Sequence, residues 1–228
     1  MMKLMTKATC ATLIAGAMLF GGSASAATKE ESQLTTQYTN LKTGMTLTDT
    51  AKVLYGKEYK KQLIQKSGST ILKKKAEESS SEQGQKSKVY VFANGKNQDI
   101  YTSLLFMTKK NSSVYRLVGK SLDVSRESSA TGARESTRKL AKGATIKVGM
   151  TEKQLDAILS GTGLGEWTGL DSSDWTSVQS KSELALIGPV KSSLKIYVFP
   201  TATNKRKLVV MDYDYKKKTY RVGDQSSL

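Results

Sequence analysis

The hydrophobic and polar positions of the chain form blocks that occur twice, in the same order. Gly44-Met45-Thr46 returns 105 residues later as Gly149-Met150-Thr151. Three later blocks also return: residues 89–92 (VYVF) as 196–199 (IYVF), 104–107 (LLFM) as 208–211 (LVVM), and 115–117 (YRL) as 220–222 (YRV). Matched blocks with a nearly constant displacement indicate an internal duplication, so each copy should fold into the same set of elements.

Each Gly-Met-Thr block predicts the start of a short helix. Thr46 and Thr151 are good N-cap residues, and Gln154 completes a capping box with Thr151. Leu155 and Leu159 then fall on one face of the helix that follows. The glycine before each methionine breaks the chain, so we expect a short preceding helix to turn sharply into the second one. Each copy is therefore predicted to open with a helix-loop-helix.

The later blocks alternate and are rich in β-branched and aromatic residues, which is typical of strands. Tyr90 and Phe92 share one face of the first such strand, and Tyr197 and Phe199 share the same face of its counterpart. We expect the aliphatic face of each strand to pack against the helices. The aromatic face would then be open to solvent or to a partner. The opposite arrangement, with these four rings in the core, stays equally open.

The segments between the blocks are polar. Residues 73–88 (KKKAEESSSEQGQKSK) predict a mobile loop, and their counterpart in the second copy, about 162–193, carries Trp167 and Trp175. Residues 121–142 are rich in Ser, Arg, Lys and Thr, which predicts an interdomain linker. The organisation that follows is a signal peptide over 1–26, repeat 1 over 27–120, the linker over 121–142 and repeat 2 over 143–228.

The first 26 residues have the features of a secretory signal peptide. Lys3 and Lys7 give a positive start, residues 8–20 are apolar or small, and Ala24-Ser25-Ala26 supplies the small residues that precede cleavage. The apolar run is too short to span a bilayer. We therefore predict a secreted, extracellular protein that is cleaved after about Ala26, with cell-wall association as an alternative location.

The composition excludes much catalytic chemistry. Beyond residue 26 there is no Cys and no His, which excludes disulfides, the usual zinc sites and Ser-His or Cys-His nucleophile pairs. Asp171 with Asp174, and Asp212 with Asp214, are pairs of acids that could do acid–base work. The second pair stands just before three lysines, which favours a solvated strand end. We expect no catalytic residue, no metal site and no cofactor, and we do not expect an enzyme.

The chain is strongly basic, with a formal net charge of +16 and lysine- and arginine-rich clusters at 73–75, 205–207 and 216–218. Such a balance favours polyanionic neighbours through long-range attraction. For an exported protein these are anionic wall polymers, lipid head groups or an acidic protein rather than nucleic acid. A solvated, solubilising surface is the other interpretation of each cluster.

Residues 38–46 (YTNLKTGMT) resemble the aromatic-x-x-aliphatic-x-x-Gly-Met-Thr opening of the β-lactamase inhibitory protein family. A similar motif occurs in the small lipoprotein of the outer-membrane assembly machinery. The second copy keeps Ile146 but has Gly143 where the aromatic residue should be. The resemblance implies an α+β fold of two tandem repeats, each a helix-loop-helix followed by a four-stranded antiparallel sheet, with the sheets joined into one concave surface. In that family, the concave face and its loops clamp a class A β-lactamase.

Together these observations predict a secreted, non-catalytic protein-binding module whose partner is an extracellular or envelope protein. Aromatic anchors dominate interface energetics, so the candidate partner-binding residues are Tyr90, Phe92, Trp167, Trp175, Tyr197 and Phe199. Two alternatives stay open. The resemblance implies an inhibitor of a β-lactamase or a penicillin-binding enzyme, and the lysine clusters favour an envelope adaptor that binds anionic wall polymers or a membrane surface. Neither nucleic acid binding nor stable membrane insertion is expected.

Overall fold

A computed structural model describes residues 29–93, 100–126 and 132–228, so the predicted signal peptide lies outside the described residues. The helices in these ranges are α1 (Lys29–Asn40), α2 (Leu47–Tyr55), α3 (Glu152–Asp156) and α4 (Lys181–Ile187), and a 3-10 helix covers Gly56–Gln62. The strands are β1 (Leu63–Lys66), β2 (Ser69–Leu72), β3 (Glu78–Glu82), β4 (Gln85–Ala93), β5 (Ile100–Met107), β6 (Arg116–Val124), β7 (Gly169–Asp174), β8 (Lys191–Pro200), β9 (Arg206–Asp214) and β10 (Thr219–Ser227). No helix within the described ranges is long and apolar enough to cross a bilayer.

One antiparallel sheet of eight strands dominates the molecule. Its strands follow one another in space in the same order as in the chain, from β3 at one edge to β10 at the other. The first half of the sheet consists of β3 to β6 and the second half of β7 to β10. The two halves meet where β6 pairs with β7, with Leu122 opposite Leu170 and Asp123 opposite Gly169. Strands β1 and β2 form a separate hairpin.

The predicted architecture of two repeats, each a helix-loop-helix followed by a four-stranded sheet, is wrong. The molecule is mostly sheet, and β6 and β7 pair directly because each would otherwise leave a row of backbone N–H and C=O groups unpaired. In the second half, residues 143–148 before the motif form no helix, and α3 has only five residues. Gly143 together with the β-branched Thr145, Ile146 and Val148 accounts for this, since such residues are weak helix formers.

The two Gly-Met-Thr motifs make equivalent contacts with the last strand of their own half. The N–H of Gly44 donates to the carbonyl of Leu117 at 2.7 Å, and the N–H of Gly149 donates to Val222 at the same distance. The guanidinium of Arg116 donates in turn to the carbonyl of Gly44 at 3.0 Å, and that of Arg221 donates to the carbonyl of Gly149 at the same distance. The predicted caps are confirmed: Thr46 caps α2, and Thr151 forms a capping box with Gln154 on α3. Each motif therefore fastens the start of a helix to the sheet.

The helices cover one side of the sheet. Helix α1 contacts β5 and β6, α2 contacts β6 and the β1–β2 hairpin, and α3 contacts β10. Two clusters of buried apolar side chains fill the space beneath them, one in each half, and a smaller third cluster lies under α1 at the junction. Since all three clusters are on the helix side, the other side of the sheet carries no comparable core among the described residues.

Two segments predicted to be irregular contain strand residues in their described parts. The predicted linker, 121–142, begins with the last four residues of β6, and its Leu122 and Leu140 are buried. The predicted mobile loop, 73–88, contains β3 and the first residues of β4. Strand β3 has the sequence ESSSE and is exposed throughout, so its pairing comes from backbone hydrogen bonds to β4 and not from burial of side chains.

Candidate binding surface

The aromatic residues predicted to bind a partner from the strands lie on the side that the helices cover. Tyr90, Tyr197 and Phe199 are 1%, 4% and 0% exposed, and each belongs to one of the two main core clusters. Phe92 packs against the first cluster, with its ring edge-on to that of Tyr55 at 6.5 Å. The expectation of an open aromatic face is therefore wrong. Large rings bury more apolar area than valines do, so the core takes the aromatic face.

The two tryptophans have different surroundings. Trp167 is half-buried and packs against both the cluster of the second half and the cluster under α1. The guanidinium of Arg134 lies 4.8 Å from its ring centre and donates to its carbonyl oxygen, which fixes it as a structural residue at the junction. Trp175 belongs to none of the three clusters, and its backbone N–H donates to the carbonyl of Val190 at the base of the β7–β8 loop. Of the six candidates, Trp175 alone is outside these clusters and the side chains packed against them.

The side of the sheet opposite the helices, here called the open face, carries half-exposed side chains. The burial pattern of β5 alternates strictly between buried and intermediate residues, as expected where only one face of a sheet is covered. Strand register places aliphatic side chains on both halves of the open face. In the first half these are Val89, Val91 and Leu105, and in the second half they are Leu194, Ile196, Leu208 and Val210.

A strip of small and acidic residues separates these two aliphatic patches. This central strip consists of Gly119, Ser121 and Asp123 on β6 and of Gly169, Asp171 and Ser173 on β7. A methyl group at Gly169 would stand 3.2 Å from an Asp123 carboxylate oxygen and 3.3 Å from the Ile196 side chain, so these two side chains pack closely over the glycine. The strip therefore forms a low, polar channel between the apolar patches.

The two carboxylates of the central strip are electrostatically unfavourable in the free protein. Burial raises the pKa of Asp123 above its ordinary value, although a hydrogen bond from Ser121 at 3.0 Å opposes the shift. Burial, and then the charge of Asp123, raise the pKa of Asp171. Within the described ranges neither carboxylate forms an ion pair with a lysine or an arginine. Two acids thus lie unneutralised in the middle of a face that belongs to a strongly basic protein.

One member of each acid pair considered from the sequence makes a structural contact. Asp171 and Asp174 are three residues apart on one strand and so point to opposite faces, and Asp174 is bound to Lys191 at 2.9 Å. Asp214 accepts hydrogen bonds from the N–H groups of residues 216 and 217, each at 3.0 Å, and so shapes a turn. Among the described residues no group of three acidic side chains could hold a metal ion.

Sequence reasoning missed Asp123 because it placed that residue in a linker. The alternation of Leu122, Asp123 and Val124 was a signal for a strand, but it is only three residues long and is followed by polar sequence. That Asp123 shares a face with Asp171 could not be predicted either, since the register of β6 against β7 cannot be read from local pattern.

No protein-family model matches the chain, and no curated protein and no solved structure matches it significantly.

Proposed function

We propose that this protein is a non-catalytic protein-binding module and that it binds its partner through the open face. The observation that carries the proposal is the arrangement on that face: two aliphatic patches, one in each half, on either side of a strip with two unpaired carboxylates. Apolar side chains that stay partly exposed in patches on an uncovered sheet face favour an interaction site.

The chemistry of the central strip specifies what the partner should present. Asp123 and Asp171 are already partly desolvated, so a lysine or arginine placed between them would gain attraction while losing little further solvation. Residues next to that basic side chain should be apolar, so that they cover Leu105 on one side and Leu194 on the other. The partner is therefore an extracellular or envelope protein with a basic side chain on an apolar ridge.

The proposal is tested by comparing captured proteins across matched baits. The chain lacking residues 1–26 is immobilised and exposed to the secreted and envelope fractions of its own source. The wild-type protein should retain a defined partner that is lost with Leu105→Arg and with Leu194→Arg, because each change places a charge on an apolar patch. Ile64→Arg is the control, since Ile64 is 39% exposed on the separate β1–β2 hairpin. Capture that survives both open-face changes would contradict the proposal.

The carboxylates give a second readout on the same partner. Asp123→Asn and Asp171→Asn should each weaken binding about tenfold by removing one charge from the pair. Wild-type binding should also weaken as the pH falls through the raised pKa values, because the carboxylates then become neutral. Binding that is unchanged by both substitutions would show that the central strip makes no contact with the partner.

Inhibition of a β-lactamase or a penicillin-binding enzyme stays a prediction from the resemblance. It is checked separately by measuring nitrocefin hydrolysis by a class A β-lactamase in the presence of micromolar protein.

A further inference from the structure

Four connections lie together at one end of the large sheet because the strands are antiparallel. These are the β3–β4 turn, the β5–β6 loop (108–115), the β7–β8 loop (175–190) and the β9–β10 turn (215–218). The last three are called the loop end below. They form a surface distinct from the open face.

The loop end carries most of the exposed apolar side chains of the described residues. Leu186 is 85% exposed and Ile187 is 63% exposed, both on α4, and Val190 follows them at 42%. Val114 on the β5–β6 loop and Tyr215 on the β9–β10 turn are 48% and 47% exposed. Side chains of this size are costly to leave in water, so a cluster of five of them at one end of a molecule indicates a docking surface.

Hydrogen bonds hold the end of α4 in place, where Leu186 and Ile187 form what is here called the apolar tip. The side chain of Gln179 donates to the carbonyl of Gly188 at 3.0 Å and accepts from the N–H of Val190 at 3.2 Å. A capping box between Ser180 and Glu183 fixes the start of α4. Because both ends of the helix are tied to the loop, Leu186 and Ile187 are presented to solvent by a defined structure.

Exposed lysines lie on both sides of this tip. Lys109 and Lys110 line a groove of about 800 Å³ together with residues of the β3–β4 turn and the start of α4. Hydrogen bonds from Ser180, and then the charge of Lys110, lower the pKa of Glu183. On the other side, the turn shaped by Asp214 carries three exposed lysines, residues 216–218. An apolar projection flanked by positive charge is thus built from three separate loops.

We propose that the loop end docks onto an anionic lipid bilayer, with Leu186 and Ile187 entering the head-group region and the lysines binding lipid phosphates. Buried apolar area and attraction to anionic lipids both strengthen peripheral binding to a bilayer, and the loop end supplies the two together. A soluble polyanion would account for the lysines but gives the apolar tip nothing to bury against. Docking by this end is independent of partner binding by the open face, so either proposal can fail alone.

The experiment is co-sedimentation of the chain lacking residues 1–26 with vesicles of phosphatidylcholine alone and of phosphatidylcholine with about 30% phosphatidylglycerol. Binding is expected only to the anionic vesicles. Replacing Leu186 and Ile187 together by serine should weaken binding at least about tenfold, since both side chains lose their burial in the bilayer. Leu228→Ser is the matched control, because Leu228 is 55% exposed at the opposite end of the sheet.

Two matched triple variants test the contribution of the lysines to vesicle binding. Changing residues 216–218 from lysine to glutamine should weaken binding about a hundredfold, because each lysine near an anionic surface contributes roughly a factor of five. The same three changes at residues 73–75 remove equal charge from the other end of the sheet and should have a small effect. Equal losses in the two triple variants would overturn the proposal in favour of nonspecific attraction. Unchanged binding by the serine double variant would also overturn it, in favour of adsorption by charge alone.

Discussion

Replacement of Trp167 by alanine should destabilise the protein strongly, although the residue stands in a polar, glycine-rich segment. Its ring packs against side chains of the second-half core and of the cluster under α1, which contains Tyr38 and Leu122 from the first half. A fully buried tryptophan costs about 3–5 kcal/mol when it is truncated to alanine, and a half-buried one should cost about half of that. The stacked guanidinium of Arg134 adds roughly 0.5–1 kcal/mol.

The expected loss is therefore about 2–3 kcal/mol in the free energy of unfolding. For a chain of this size, that loss lowers Tm by about 5–10 °C. Urea denaturation followed by circular dichroism measures the free energy, and a thermal scan gives Tm. Hydrogen exchange should quicken at amides of both β6 and β8, because Trp167 joins the two halves.

Trp175→Ala is the matched control. Trp175 belongs to no core cluster, and its backbone hydrogen bonds survive the substitution, so the loss should stay below about 1 kcal/mol. The reasoning is refuted if the two substitutions cost the same, or if Trp167→Ala costs less than about 0.5 kcal/mol.

Three further substitutions have definite expected outcomes. Asp123→Asn should raise the free energy of unfolding at pH 7 by up to about 1 kcal/mol. Burial raises the carboxyl pKa, so the contribution of Asp123 to stability falls as the pH rises through that range, and a Tm series from pH 3 to 7 should show the advantage of the variant over the wild type growing with pH. Burial lowers the pKa of Lys120 to about 8, so urea denaturation should show the free energy of unfolding of the wild type rising between pH 8 and 10. A Lys120→Met variant whose free energy of unfolding rises equally with pH would contradict this. Thr151→Ala should cost about 1 kcal/mol through loss of the α3 cap while Thr151→Ser costs little, and chemical denaturation of both variants checks the difference.

Helix caps and strand blocks were predictable because they depend on neighbouring residues. A threonine that caps the third residue after it, as Thr46 and Thr151 do, needs only the local chain. Alternation likewise identified the strands around Tyr90 and Tyr197. The missing helix before Gly149 could also have been inferred locally, since Gly143 and the β-branched residues after it disfavour a helix.

The candidate surfaces could not be predicted from local pattern. Alternation says that Tyr90 and Val89 point to opposite faces, but it does not say which face the helices cover. The same limit applies to Asp123 and Asp171, which share a face only because β6 pairs with β7 in one register.

Local sequence was enough to identify the repeated blocks, the helix starts, the strands that contain those blocks, the positive charge and the lack of His and Cys beyond residue 26. These are properties of composition or of short segments. The folded structure was needed to show in which register β6 pairs with β7, that the aromatic rings fill the core, and that two carboxylates lie without an ion pair between aliphatic patches. Those outcomes depend on strand register and on competition between two faces for burial. Both are set by contacts between residues far apart in the chain, which no local pattern contains.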